Sequence, residues 1–274
     1  MDDGQAGVQR DFDAVDTIGD TFRSVAALTH ELGRFGLTLE HVVVDGGSDD
    51  GTLQLIETYQ SQQSSCTLIR SVRGGPYPAM NIGIASASGL YSHILNADDM
   101  ICDVHAYVAL LRESLERKAH FALGSILYFR RPSQNISSFW IVDEIPSNRQ
   151  IWKQKLQSGL HYPHPGFLCR TDIYRSTHFD LSYSYSSDYK LMQSLLLSTD
   201  SSVQICTSRS PIVAMDERGR TGHWQSILKG RDEIKKINLE LGIYAPAWRR
   251  YLLKIISRYI QPRLRCFRRL DRPD

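Results

Sequence analysis

The chain has 274 residues and a net charge of +2, with 42% hydrophobic and 23% charged residues, a balance that predicts a buried core and excludes wholesale disorder. No run approaches the roughly 20 apolar residues of a membrane-spanning helix. The acidic first residues are not followed by an apolar stretch, so we predict a cytoplasmic protein without a signal peptide.

Hydrophobic periodicity predicts helices alternating with strands through the first half of the chain. Apolar residues recur at helical spacing over 17–32, and a short run rich in β-branched residues follows at 39–44. Further helices are predicted at 53–60, 79–86 and 104–117, and further strands at 67–71, 91–95 and 121–130. This alternation predicts an α/β fold with a mostly parallel central sheet flanked by helices.

The second half is less regular. Strands are predicted at 167–170 and 203–207, and helices at 188–197, 224–241 and 248–260. We predict one domain over 1–245, with an atypical segment at 1–15, and a separate C-terminal tail over 246–274.

The tail is strongly basic. Residues 249–274 contain nine Arg or Lys and two acidic residues, a net of +7, so the rest of the chain carries −5. Such a tail suits an anionic membrane, a nucleic acid, or simple solvation on a helix packed against the domain. The apolar face at 248–260 favours a membrane surface, so we predict peripheral attachment to the inner face of the membrane and no nucleic-acid partner.

Acidic residues directly follow two of the apolar strands. Asp45 ends the first, and Asp98 and Asp99 follow the third. Ligands of an open α/β sheet bind beyond the carboxyl ends of its strands, so these side chains are candidates for one site. Neighbouring carboxylates repel each other unless a proton or cation lies between them, and Mg²⁺ or Mn²⁺ prefers such oxygen ligands. An ordinary polar turn at Asp45 and a helix cap at Asp98–Asp99 are the alternatives.

Four segments, in order, resemble those of family 2 glycosyltransferases. VVVDGGSDDGT at 42–52 is similar to the family's VVDGGSTDGT, and YPAMNIG at 77–83 is similar to YDAMNKG. NADD at 96–99 resembles the metal-binding element of DxD type, often written NSDD. HPGF at 164–167, with FD at 179–180 and SDY at 187–189, resembles the acceptor-side block. The resemblance covers roughly residues 17–240.

The resemblance implies a GT-A fold that binds a nucleotide sugar, most simply a UDP-sugar. On the donor side it implies roles for Asp45, Gly47 and Asn81, with Asp45 contacting the base. Arg218, in a polar loop, is a candidate bidentate ligand of the diphosphate, although a solvated surface arginine is the alternative.

The resemblance further implies a divalent cation, Mg²⁺ or Mn²⁺, bound by Asp98 and Asp99. Asp188 is then the general base that takes the proton of an acceptor hydroxyl, with inversion at the anomeric carbon. A helix cap is the alternative role for Asp188. His164 is placed on the acceptor side. The acceptor implied is a glycan or lipid-linked hydroxyl in surface polysaccharide or glycolipid synthesis.

The sequence departs from the family pattern at its start. Family members begin with a strand of the form SVIIPTYN, whereas residues 5–13 here are polar and do not predict a central strand. Pro78 stands where the family usually has Asp, and Arg73 lies in a region that is usually acidic. An active glycosyltransferase and a catalytically impaired homologue that binds a nucleotide sugar or a partner protein are therefore both compatible with the sequence.

Overall fold

The structure is a computed structural model of the chain. The residues that it describes are 14–71, 74–131, 133–146, 148–217 and 224–244. Predictions for residues 5–13, Arg73, Arg218 and the basic tail lie outside them, so the tail and the domain boundary at 245 stay predictions. No helix in the described part of the chain is long and apolar enough to cross a bilayer.

The first half alternates helices and strands, as its periodicity predicted. Its helices are α1 (Ile18–Gly33), α2 (Thr52–Gln62), α3 (Pro76–Ser86) and α4 (Val104–Glu116). Its strands are β1 (His41–Asp45), β2 (Cys66–Arg70), β3 (Tyr91–His93) and β4 (Met100–Ile101).

The second half adds the longer strands and the remaining helices. The strands are β5 (Phe121–Arg130), β6 (Asn135–Trp140), β7 (Phe167–Arg170) and β8 (Ile205–Asp216). The helices are α5 (Arg149–Gln157), α6 (Thr171–Ser176), α7 (Ser187–Ser198) and α8 (Trp224–Glu240), and a 3-10 turn spans His164–Gly166.

The main sheet is mixed, which corrects the prediction of a mostly parallel sheet. Its order is β3-β7-β5-β8-β4, with β6 also paired to β5. Only β5 and β8 pair in parallel within it, and the other pairs of described strands are antiparallel. The short β5–β6 connection permits only a hairpin, because a parallel crossover needs a dozen or more residues. β1 and β2 form a separate parallel pair.

Strand β5 lies at the centre of the molecule and separates two cores. Its residues from Phe121 to Phe129 are all buried. Because successive side chains of a strand point to opposite faces, Phe121 and Leu123 enter a core shared with α5 and α7, whereas Ala122 and Ile126 enter one shared with α1 and α4. The sheet is therefore covered by helices on both faces.

Candidate active site

One cavity of 1270 Å³ brings together most of the site residues predicted from the sequence. Its lining includes Asp45 at the end of β1, Asp98 and Asp99 after β3, His164 in the 3-10 turn, and Asp188 in α7. The carboxyl ends of the two strands thus face a common space, as their positions in the sequence predicted.

Asp45 organises the turn that follows β1. Its carboxylate accepts hydrogen bonds from the backbone N–H of Gly47 at 3.0 Å and from the hydroxyl of Ser48 at 2.6 Å. Gly47 has a φ of 90°, a conformation that favours glycine, and Gly46 and Ser48 rather than Gly47 line the cavity. Gly47 therefore forms the turn that presents Asp45, and its predicted contact with the donor stays a prediction.

The Asp98–Asp99 pair is anchored to α1 and lies in surroundings that disfavour two negative charges. The hydroxyl of Thr21 donates to the carbonyl oxygen of Asp99 at 2.7 Å, and the side-chain amide of Asn96 donates to Oδ2 of Asp99 at 2.9 Å. Burial, and then the carboxylate of Asp98, raise the pKa of Asp99 well above its usual value. Burial also raises the pKa of Asp98. The pair therefore favours binding of a cation or a proton.

Two residues that the sequence analysis did not single out complete this acidic end of the cavity. The carboxyl group of Asp99 accepts a backbone hydrogen bond from Asp216, a buried residue at the end of β8. Arg131, whose side chain is 9% exposed, pairs with Asp20 and donates to the carbonyl oxygen of Asp98 at 3.2 Å. Its Nε also lies 3.2 Å from Oδ2 of Asp216, an ion pair without hydrogen-bond geometry.

The signal that identified Asp45 also marks Asp216, because an acidic residue directly follows the apolar run at 212–215. Arg131 carries no comparable signal, since its partners Asp20, Asp98 and Asp216 are far away along the chain.

Asp188 also lines the cavity and lies in the first turn of α7. The hydroxyl of Tyr77 donates to Oδ1 of Asp188 at 3.1 Å. Oδ2 receives no hydrogen bond from the described residues and is available to a ligand.

His164 presents a buried ring to the same space. Burial lowers the pKa of His164, against the opposing effect of the Asp188 carboxylate, so the ring is neutral at pH 7. Its Nε2 has no hydrogen-bond partner among the described residues. A buried polar atom without a partner costs free energy, so this nitrogen is suited to bond a ligand hydroxyl.

Asn81 is absent from the lining of this cavity, and its predicted role on the donor side stays a prediction. Its Nδ2 donates to the carbonyl oxygen of Phe179 at 3.0 Å, and its Oδ1 accepts from the Phe179 N–H at 2.9 Å. The Phe179 ring stacks on Tyr77 with 5.5 Å between centroids and meets the His164 ring edge-on at 5.7 Å. Because both ends of its amide are engaged, Asn81 acts as a positioning residue behind Tyr77 and His164.

The close approach of Gly166 to β5 fixes the turn that carries His164. A Cβ at Gly166 would overlap the carbonyl oxygen of Gly124, a backbone atom that cannot rotate away. We therefore expect Gly166→Ala to lower the free energy of unfolding by about 1–3 kcal/mol or more, as measured by urea unfolding. Gly33→Ala is the control, because a Cβ there meets nothing within 4 Å. Equal stability of the two variants would contradict this packing.

The acidic pair fits a metal that shares its coordination with a substrate. Among the described residues, no group of three or more His, Cys, Asp or Glu side chains is arranged to hold a metal ion. Mg²⁺ in nucleotide sites is usually bound by one or two carboxylates together with substrate phosphates. Asp98 and Asp99 provide that smaller ligand set, so their chemistry fits a cation that arrives with a diphosphate.

Comparison with known proteins gives a family and a fold. The family model for Glycosyl transferase family 2 matches residues 12–177, more than half of the chain. Glycosyltransferase GlyG of Streptococcus pneumoniae serotype 4 is 21% identical over 185 residues, 64% of this chain and 61% of that protein. The uncharacterized glycosyltransferase EpsJ of Bacillus subtilis is 23% identical over 126 residues, 46% of this chain and 35% of that protein. The matches thus span less than two thirds of either relative.

Solved structures resemble most of the chain in fold. TarS 1–349 of S. aureus in complex with UDP-GlcNAc has a TM-score of 0.63 and 16% identity, covering 89% of this chain and 70% of that one. Mannosyl-3-phosphoglycerate synthase from Rubrobacter xylanophilus has a TM-score of 0.50 and 14% identity, covering 82% and 70%. This likeness confirms the predicted α/β fold of GT-A type.

Proposed function

Because this chain belongs to glycosyl transferase family 2, we propose that it transfers a sugar from a nucleoside-diphosphate donor to a hydroxyl acceptor, with inversion at the anomeric carbon. The family predicted from the four sequence segments is thereby confirmed. The observation that carries the proposal is the single cavity lined by Asp45, the Asp98–Asp99 pair, His164 and Asp188. UDP is the favoured nucleotide, since TarS, which shares the fold, was solved with UDP-GlcNAc.

Asp188 is the proposed general base. As the acceptor oxygen bonds to the anomeric carbon, the acceptor proton passes to Oδ2, which is available, while Tyr77 holds Oδ1. The bond from the anomeric carbon to the diphosphate breaks at the same time, and its electron pair leaves with the diphosphate. The single displacement inverts the configuration. His164 is placed to orient the acceptor through its unpartnered Nε2.

Asp98 and Asp99 are the residues proposed to hold Mg²⁺ or Mn²⁺. When bound, such a cation neutralises charge on the departing nucleoside diphosphate. Arg131 limits the accumulation of negative charge around this pair through its contacts with Asp216 and the Asp98 carbonyl oxygen. The turn shaped by Asp45 forms the proposed base side of the donor site.

The acceptor is proposed to be a glycan or a lipid-linked hydroxyl in surface polysaccharide or glycolipid synthesis. The predicted basic tail supports this proposal, because attachment to an anionic membrane would bring the cavity near a lipid-linked acceptor.

Calorimetric titration of UDP with Mn²⁺ tests the donor site, with Asp98→Ala as the variant. We expect binding by the wild type that requires the metal and is weakened at least about tenfold in Asp98→Ala, because a direct metal ligand is lost. Asp103→Ala is the matched control, since Asp103 caps α4 without lining the cavity. Metal-independent binding, or equal binding by both variants, contradicts the metal assignment. If UDP does not bind, GDP and dTDP are titrated in the same way. If none of the three nucleotides binds, the proposed donor class is contradicted.

A catalytically impaired homologue that still binds a nucleotide sugar is the second candidate. This candidate is favoured because β1 and β3 belong to separate sheets. β1 carries Asp45 and β3 leads to Asp98, so the two parts of the donor site are not held together by one sheet. The distinguishing result is donor binding without release of UDP when candidate donor sugars are screened with glycan and lipid-linked acceptors.

A further inference from the structure

The side chain of His93 joins two parts of the site that come from distant stretches of the chain. His93 is the last residue of β3, the strand that leads to Asp98 and Asp99, and it lines the cavity. Its ring nitrogen Nε2 lies 2.7 Å from the carbonyl oxygen of Pro165, in the 3-10 turn that carries His164. The ring therefore ties the strand on the sugar-donor side of the site to the turn on its acceptor side.

The partners of the ring determine which of its nitrogens carries the proton. A carbonyl oxygen can only accept a hydrogen bond, so Nε2 of His93 is the protonated nitrogen and donates to Pro165. The hydroxyl of Tyr107, in α4, lies 3.2 Å from Nδ1, which can only accept in a neutral ring of this form. Burial lowers the pKa of His93 to about 4, against the opposing effect of the Pro165 hydrogen bond, so the ring is neutral at pH 7.

The turn that carries His164 depends on contacts with its surroundings. A helical turn leaves its last carbonyl oxygens without partners inside the turn, and side chains commonly provide them. In the 3-10 turn, His93 provides the hydrogen bond to the carbonyl oxygen of Pro165. On another side, the close contact of Gly166 with Gly124 in β5 limits how far the turn can approach the sheet. The packing against β5 and the hydrogen bond from β3 together fix the place of the turn.

The ring of His93 is suited to hold other groups in place and not to react. Both of its nitrogens are engaged by protein atoms, so neither is left to bind a substrate or to transfer its proton. The ring is also close to His164, because a charge on His164 would lower the pKa of His93. A change in the hydrogen bonds of His93 is therefore expected to alter the surroundings of the His164 ring.

We propose that His93 is a positioning residue: with its proton on Nε2, as the Tyr107 hydroxyl requires, it holds the 3-10 turn so that His164 meets the acceptor at a fixed distance from the Asp98–Asp99 pair. This inference rests on the proposed function, in which His164 orients the acceptor and the acidic pair holds the cation of the sugar donor. Precise placement of the two reactants matters, since an error of about 1 Å can cost about 100-fold in rate.

Two amide substitutions separate the two hydrogen bonds of the ring. The side-chain nitrogen of glutamine lies as many bonds from Cα as Nε2 of histidine does, so His93→Gln can still donate to Pro165. The side-chain oxygen of asparagine lies as many bonds from Cα as Nδ1 does, so His93→Asn keeps only the acceptor for Tyr107. Urea unfolding and circular dichroism check that both variants are folded.

Steady-state kinetics measures the effect on the acceptor. We expect kcat/KM for the acceptor to fall about 10–100-fold in His93→Asn and to stay within about threefold of the wild type in His93→Gln. Metal-dependent UDP binding is expected to stay at the wild-type level in both. A merely structural role of His93 in β3 predicts a different result, because β3 leads to Asp98 and its disturbance would weaken UDP binding in parallel with turnover.

Nuclear magnetic resonance of the full chain with ¹⁵N-labelled histidine tests the geometry without turnover. At pH 7 we expect a protonated Nε2 and an unprotonated Nδ1 in His93 of the wild type. We expect the ring signals of His164 to shift in His93→Asn and not in His93→Gln. His41→Asn is the matched control: Nδ1 of His41 also lies 3.2 Å from a tyrosine hydroxyl, but among the residues that the structure describes His41 makes no hydrogen bond to the turn. It should leave the His164 signals unchanged.

Four results overturn the proposal: a proton on Nδ1 of wild-type His93, unchanged His164 signals in folded His93→Asn, equal losses of kcat/KM in the two amide variants, or parallel loss of UDP binding. The first of these needs no variant, so it decides even if a variant fails to fold. If the wild type transfers no sugar, the proposed function fails, whereas the histidine signals still report whether His93 positions His164.

Discussion

Replacement of Asp188 by asparagine is expected to lower the turnover rate of sugar transfer by about 10²–10⁴-fold, the range over which a general base usually contributes. Asparagine keeps the Oδ1 acceptor for the Tyr77 hydroxyl, so the local structure should persist. The oxygen proposed to receive the acceptor proton is replaced by an amide nitrogen, which cannot accept it. Turnover with saturating donor and acceptor is the measurement.

Binding of UDP separates a catalytic effect from a structural one. We expect Asp188→Asn to bind UDP as the wild type does, because Asp188 is assigned to the acceptor. Asp172→Asn is the matched control, since Asp172 also lies in the first turn of a helix but is exposed and paired with Arg170. Wild-type turnover in Asp188→Asn would remove this residue from the mechanism, and parallel loss of UDP binding would point to a disturbed site.

Replacement of Arg131 by methionine is expected to lower the free energy of unfolding by about 3–5 kcal/mol, the usual cost of removing one partner from a buried ion pair. The substitution removes the buried guanidinium that pairs with Asp216 and, together with Arg23, with Asp20. It also removes a hydrogen bond to the Asp98 carbonyl oxygen. Urea unfolding measures the change.

The neighbouring residue provides the control. Arg130 pairs with Glu217 at 2.6 Å, but its side chain is 63% exposed, so Arg130→Met should change stability by about 1 kcal/mol or less. We further expect Arg131→Met to weaken metal-dependent UDP binding near pH 7. Burial raises the pKa of Asp98 and the guanidinium opposes that rise, so removal of Arg131 raises the pKa of this proposed metal ligand further. Equal stability of the two arginine variants would contradict the structural importance of Arg131.

Local sequence determined the bounds of two strands whose apolar runs are flanked by polar or glycine residues. Residues 121–130 and 167–170 form strands with the predicted boundaries, because burial of a continuous apolar run leaves little freedom at its ends. The helix predicted at 79–86 begins three residues earlier, at Pro76. Proline is compatible with the first turn of a helix, where its missing N–H is not needed.

Elements without a strong apolar pattern were missed. β4, β6, α5 and α6 were not predicted, and β8 extends from 205 to 216 rather than over 203–207. α5 shows why: only Trp152 and Leu156 of its nine residues are buried, which is too few for a clear period. The sequence pattern also did not predict the strand directions. The alternation of helices and strands in the first half suggested parallel pairing, whereas most strands of the second half pair antiparallel.

The sequence by itself determined the family, the α/β layering and the acidic residues at the strand ends. Each of these can be recognised from a short stretch of neighbouring residues. Tertiary structure alone decided which of these residues share a cavity and what their side chains bind. It joined the Asn81 amide to the backbone of Phe179, and it brought Arg131 and Asp216 to the Asp98–Asp99 pair. The physical reason is that hydrogen bonds, ion pairs and burial form between residues far apart in the chain, and no local pattern records those distances.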